Sequence, residues 1–149
     1  MGKRDHLIEH LKSFFMENAN QGYGVEIVFL YGSWARGFPR DESDIDIAIL
    51  FSDDLRSEKV VFEHMTDISY RLTDKLKKEV NVLKIYNNFR KPMLYYNTIV
   101  LGIPVFIKNK DRFLSVITEA IYQMEDFSIF GLHWQREVAK RNLEGLRYA

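Results

Sequence analysis

Between Ser43 and Phe51 the chain reads S-D-I-D-I-A-I-L-F, and this alternation constrains the fold more than any other stretch. Successive side chains of a β-strand point to opposite faces. Ile45, Ile47 and Ile49 therefore share one face, and Asp44, Asp46 and Ala48 share the other. The isoleucines account for burial. The aspartates are expected side by side on an open face. Two carboxylates that close repel and raise each other's pKa unless a cation sits between them. Hard oxygen ligands at this spacing suit Mg²⁺ or Mn²⁺ rather than zinc. The plain alternative is a strand whose polar face is simply solvated.

The surrounding pattern predicts a small mixed sheet with helices packed on it, an α+β fold. Leu7, Ile8, Leu11, Phe14 and Phe15 recur at helical spacing over 4–18, with Asp5 as a candidate cap. Val25 to Tyr31 is short, apolar and β-branched, which predicts a strand. Val61, Met65, Ile68, Leu72 and Leu76 mark a long amphipathic helix. Glu79 to Tyr86 predicts a third strand, and Pro92 opens a further helix expected to stop at Gly102. Pro104 places a fourth strand at a sheet edge. From Asp111 onward the chain is expected to be helical, with a weak point around Ser128 to Gly131. The length of 149 residues suggests one domain, 1–149, with a helical C-terminal extension over about 110–149.

Composition removes several functions. Lys+Arg and Asp+Glu both number 21, and a neutral chain does not hold nucleic acid by bulk charge. There is no cysteine, which excludes disulfides, thiolate catalysis and cysteine zinc sites and agrees with a reducing compartment. No apolar run is long enough to span a bilayer, and the charged N-terminus does not read as a signal peptide. No membrane partner is expected, and the cytoplasm is the expected location.

The strand over 25–31 ends at Gly32-Ser33, and S-W-A-R-G can then start a short helix. Glycine lets the backbone turn sharply and approach a ligand closely. Amides at such a turn, with the Ser33 hydroxyl, make an anion site, and Arg36 and Arg40 are near enough in sequence to add charge. A phosphate cradle at one strand end would then face a metal-binding pair on the next strand. That is the minimum equipment for a metal–nucleoside triphosphate. The plain alternative is an ordinary strand-to-helix turn.

Gly32-Ser33, ten intervening residues and then Asp44-x-Asp46 resembles the signature of the DNA polymerase β-type nucleotidyltransferases. The Y-G-S-W-A-R-G and S-D-I-D-I-A-I-L blocks, and the later order of elements, are similar to the smallest branch, the minimal nucleotidyltransferases (MNT). The resemblance implies a polymerase β-like fold and transfer of a nucleotidyl group from a nucleoside triphosphate, here ATP, to a hydroxyl with release of pyrophosphate. It implies that Asp44 and Asp46 are catalytic and hold Mg²⁺ or Mn²⁺. It implies that Gly32, Ser33 and Arg36 bind the nucleotide; the plain alternative for Arg36 is a surface salt bridge.

Members of this branch pair with a helical HEPN-type toxin and act as its antitoxin by adding AMP to a toxin tyrosine. Tyr122, Phe127, Phe130 and Trp134 would then be either the docking surface or the chain's own core, and the core is the expectation. Two other readings stand beside this one. One is an inactive domain that neutralises a partner by contact. The other is a small-molecule nucleotidyltransferase of the antibiotic-modifying kind.

The third strand departs from the family pattern. Asn81 stands where the family's third carboxylate aligns, and Lys84 stands where a second acidic residue aligns. Asn81 brings an amide oxygen but no charge. Glu79, two residues earlier, is on the same expected face and is the alternative third metal ligand. His6 and His10 are spaced i,i+4 but lack a third ligand and are expected to be solvated.

Overall fold

Four strands form one sheet in the order β3-β2-β1-β4. The structure is a computed structural model that describes residues 2–18, 22–37, 39, 43–53, 57–86 and 91–147; Arg40 lies outside the described residues. Helix α1 (Lys3–Glu17) is followed by β1 (Val25–Tyr31) and the single turn α2 (Ser33–Arg36). Strand β2 (Ile45–Phe51), helix α3 (Glu58–Leu76) and β3 (Val80–Lys84) then make a β-α-β unit. The short α4 (Pro92–Tyr95) runs into a π-helical turn over Tyr96–Val100, followed by β4 (Ile103–Ile107) and α5 (Lys110–Arg147).

The sheet is mixed because the connections differ. A long helix joins β2 to β3, so they pair in parallel, whereas β1 pairs antiparallel with both β2 and β4. Pro104 sits on β4, at the edge, as expected of a residue that cannot donate to a ladder. Helix α1 is capped less directly than expected. Gly2 is its N-cap, and Asp5 in the first turn accepts from the Gly2 amide at 3.2 Å.

Ile45, Ile47 and Ile49 are buried beneath α1 and α3, together with Leu11, Ile68 and Leu72. The opposite face is not open along its length. Ala48 and Leu50 are buried there in a second cluster with Phe29, Tyr95, Ile99, Val116 and Ala120. Both sheet faces are therefore covered, and within β2 Asp46 alone is not buried, with exposed Asp44 just before it. Asp44 precedes β2, which starts at Ile45 rather than at residue 43.

Helix α5 corrects two expectations. It is unbroken through Ser128 to Gly131 and spans 38 residues, about 57 Å at 1.5 Å per residue. Glycine inside a helix costs only about 1 kcal/mol relative to alanine, so the run of good helix formers on either side carries through it. Only the first third packs on the body, through Phe113, Val116, Ile117 and Ala120. Tyr122, Phe127, Phe130 and Trp134 are not core. Phe130 is 68% exposed and Trp134 60%.

Candidate active site

The site is built where the C-terminal end of β1 meets the start of β2. Tyr31 and Asp46 are cross-strand partners, so the turn that follows Tyr31 passes directly over Asp46. Gly32 takes φ 75° and ψ −153°, a conformation essentially restricted to glycine. A Cβ at Gly32 would stand 2.5 Å from Asp46 Oδ2, closer than any real contact allows. The backbone can approach the carboxylate only because no side chain is there. Ser33 opens α2, and the Arg36 amide donates to the Gly32 carbonyl at 3.1 Å to close the turn.

Trp34 locks this turn in place. Its ring is buried, its Nε1–H donates to the Ser43 carbonyl at 3.2 Å, and Lys78 Nζ stands 5.8 Å from its centroid. The indole therefore ties the Gly32-Ser33 turn to the residue just before Asp44. Arg4 from α1 adds a second tie by donating to the Ala35 carbonyl at 3.2 Å.

The parallel register brings Asn81 of β3 level with Asp46. Asn81 Nδ2–H groups donate to Asp46 Oδ1 at 3.3 Å and to Asp44 Oδ2 at 3.4 Å. One neutral amide thus bridges the two carboxylates where their mutual repulsion is greatest. Glu79 is not part of this arrangement. Its side chain is exposed, and its carbonyl is used by the Ile45 amide at 2.9 Å. Among the described residues no three acidic, His or Cys groups gather closely enough to make a metal cage.

The electrostatics follow from this placement. Partial burial pushes the Asp46 carboxyl above the usual aspartate range, the Asn81 hydrogen bond pulls it back, and the Asp44 charge raises it further. Burial likewise raises the Tyr31 phenol, and the Asp46 charge adds to the shift. Both shifts report an Asp46 carboxylate held partly out of water.

Two carboxylates and an amide oxygen available by rotation of Asn81 make a hard, oxygen-rich set whose chemistry would fit Mg²⁺. Such an ion usually takes one or two carboxylates and completes its octahedron with water and substrate. The donor set is thus adequate without a third acidic residue.

Beside the turn lies a cleft of about 550 Å³, lined by Tyr31, Ser33, Arg36, Leu94, Asn97 and Leu101 among others. Arg36 is exposed, borders this cleft and makes no ion pair among the described residues. Tyr31 and Asn97 were not singled out by sequence reasoning. For Tyr31 a signal existed, because period two from Ile27 and Phe29 places it on the Asp46 face. For Asn97 there was none, since the π-helical turn that carries it has no local signature. His6, His10 and His133 are exposed and have no part in the site.

A family model described as polymerase beta, nucleotidyltransferase, matches residues 9–111, well over half of the chain. The chain belongs to the polymerase beta nucleotidyltransferase family. The match ends where α5 begins, so it takes in the whole sheet and the Gly32-Ser33 and Asp44-x-Asp46 segments.

Chains of known structure share the fold. A chain from a crystal structure of a toxin–antitoxin with AMP-PNP superposes with a TM-score of 0.64 at 17% identity, covering 88% of this chain and 97% of that one. A chain from the complex of tri-AMPylated Shewanella oneidensis HEPN toxin with MNT antitoxin gives 0.58 at 14% identity, covering 87% and 97%. A chain from the toxin–antitoxin MntA-HepT gives 0.58 at 14% identity, covering 88% and 95%. No curated protein matches the chain by sequence. Among the described residues no helix is long and apolar enough to cross a membrane.

Proposed function

We propose that this chain is a metal-dependent nucleotidyltransferase that moves AMP from ATP to a tyrosine hydroxyl of a HEPN-type toxin, and so acts as the antitoxin. One observation carries the reading. Asp44 and Asp46 converge on Asn81 beside a Gly32 whose missing Cβ leaves room for the Asp46 carboxylate. A structural strand end has no need of that combination. The superposable chains come from a toxin–antitoxin structure with AMP-PNP in one case and a complex with a tri-AMPylated HEPN toxin in another, which supports the same reading.

In this proposal Asp44 and Asp46 hold Mg²⁺ or Mn²⁺, which when bound offsets phosphate charge and lowers the pKa of the attacking hydroxyl. The Ser33 hydroxyl and the turn amides grip the terminal phosphates, and Arg36 lies on the same side to balance the leaving charge. Fixing the triphosphate in this way aligns the α-phosphorus for attack from the far side. The phenolic oxygen forms a bond to the α-phosphorus, the bond to the bridging oxygen breaks, pyrophosphate keeps the electron pair, and the phenolic proton leaves to solvent. Asn81 steadies the carboxylates but takes no proton.

The exposed aromatic residues of α5 support a protein partner. Apolar side chains at Phe127, Ile129, Phe130, Leu132 and Trp134 point around the helix rather than along one stripe, and all are exposed. The absence of cysteine supports a cytoplasmic setting.

A second reading keeps the partner and drops the chemistry. Asn81 in place of a third carboxylate favours it, because it removes charge from the site. One experiment separates the two. The chain is incubated with ATP, Mg²⁺ and a HEPN-type toxin, and the toxin is weighed by mass spectrometry. Gain of AMP on a tyrosine, lost in Asp44→Asn and Asp46→Asn, supports transfer. A partner silenced without gain in mass supports binding alone.

A further inference from the structure

We infer that the groove between α3 and the open edge of β3 binds the acceptor as an extended polypeptide, laid along β3 as an additional strand. The inference rests on the transfer reading above, but it comes from a different part of the molecule.

In-line transfer requires the acceptor to enter opposite the leaving pyrophosphate. The sheet order fixes both sides. Gly32 and Ser33 follow β1, on one flank of Asp46, while β3 lies on its other flank. If the phosphates sit over the β1 side, the hydroxyl must arrive over β3.

The β3 edge is equipped to receive a backbone. The Ile45 amide donates to the Glu79 carbonyl and the Ile85 amide to the Ile49 carbonyl, so odd-numbered residues of β3 face β2. The groups of Val80, Val82 and Lys84 therefore face outward. Val80 is already satisfied, its carbonyl accepting from Ser69 Oγ at 2.7 Å and its amide donating to Thr73 Oγ1 at 3.2 Å. That leaves the outward groups of Val82 and Lys84, a two-residue docking rail at the sheet edge.

Along this rail lie two contiguous hollows of about 500 and 300 Å³. Phe62, Met65 and Val82 line both, and Tyr70 and Asn81 line the larger. Phe62 is 69% exposed and Tyr70 74%, an apolar wall that the chain itself does not cover. The larger hollow reaches Asn81, the residue bonded to both aspartates.

Strand geometry then dictates how an acceptor would sit. On an added strand, alternate side chains fall on opposite sheet faces. A tyrosine level with Asn81 and on its face points toward Asp46. Its immediate neighbours in sequence point the other way, into the hollow beside Phe62 and Tyr70. The acceptor should therefore carry an apolar residue next to its tyrosine.

The test uses short peptides with a central tyrosine and randomised flanks. They are passed over the immobilised full chain without nucleotide, and the retained peptides are sequenced. Apolar residues should be enriched at the positions flanking the tyrosine. Retention should fall by about tenfold or more in Phe62→Glu and in Val82→Pro, which removes an outward amide but no ladder bond. Exchange of the Val82 and Lys84 amides should slow when the retained peptides are added. Absence of retention, absence of the flanking preference, or retention by both variants as strong as by the wild type overturns the groove. A second arm adds ATP and Mg²⁺ to the retained peptides. Retention without gain of AMP leaves the groove standing and sinks the transfer reading. Transfer that is indifferent to Phe62→Glu and Val82→Pro does the reverse.

Discussion

Gly32→Ala is the most demanding test of the site, because two separate penalties fall on one methyl group. The first is conformational. At φ 75° and ψ −153° a residue with a Cβ is strained by roughly 1–3 kcal/mol. The second is steric. The new Cβ would meet Asp46 Oδ2 at 2.5 Å and Asp46 Cγ at 3.3 Å, whereas ordinary contact begins near 3.4 Å. The carboxylate must retreat by about 1 Å, which breaks its 3.3 Å bond from Asn81 and costs about a further 1 kcal/mol.

The expected loss is about 2–4 kcal/mol by urea unfolding at pH 7 in EDTA, with the m-value unchanged. If the transfer reading holds, a 1 Å displacement should also cost about 10²-fold in rate. Asp46→Ala supplies the control. In that background the steric part disappears and only the backbone strain remains, so the two substitutions should couple by about 1 kcal/mol. A loss under about 0.5 kcal/mol, or full additivity, would refute the close approach of Gly32 to Asp46.

Other outcomes follow from the same geometry. Asp46→Asn should stabilise the metal-free protein: an acid whose folded pKa is raised loses stability as pH climbs from its unfolded to its folded value, so the variant's advantage should grow across that window, level off above it and vanish at low pH. Urea titrations in EDTA across acidic pH read this directly. Asn81→Asp should lower metal-free stability, by replacing a bridging donor with a third negative charge, and should enlarge the gain in Tm on adding Mg²⁺ beyond that of the wild type. The two tryptophans should separate cleanly. Trp34→Ala should cost about 3–5 kcal/mol, whereas Trp134→Ala should stay within about 0.5 kcal/mol and act only on partner binding.

What the sequence determined by itself was mostly local. Period two in Ile45, Ile47 and Ile49 assigned a buried face and left Asp46 on the other, because a one-residue slip would have turned every isoleucine to the wrong side. Steps of three and four from Val61 to Leu76 gave α3 its buried stripe of Val61, Ile68 and Leu72. Gly32-Ser33 marked a turn because few residues other than glycine tolerate such a backbone.

What covers a face, and which distant residue stands beside it, was decided only in three dimensions. Ala48 shares the Asp46 face yet is buried, because the π-helical turn and the start of α5 pack over it. No periodicity within β2 announces a cover built some fifty residues later in the chain. Asn81 rather than Glu79 meets the aspartates because the parallel register sets Val80 against Ile45 and Asn81 against Asp46. That register follows from burying Val80 in the same core as the isoleucines, and it could not be read from either strand alone. The aromatic residues of α5 show the limit most plainly. Their composition resembles a core, but a helix about 57 Å long outruns the body it starts on, and burial requires something to pack against.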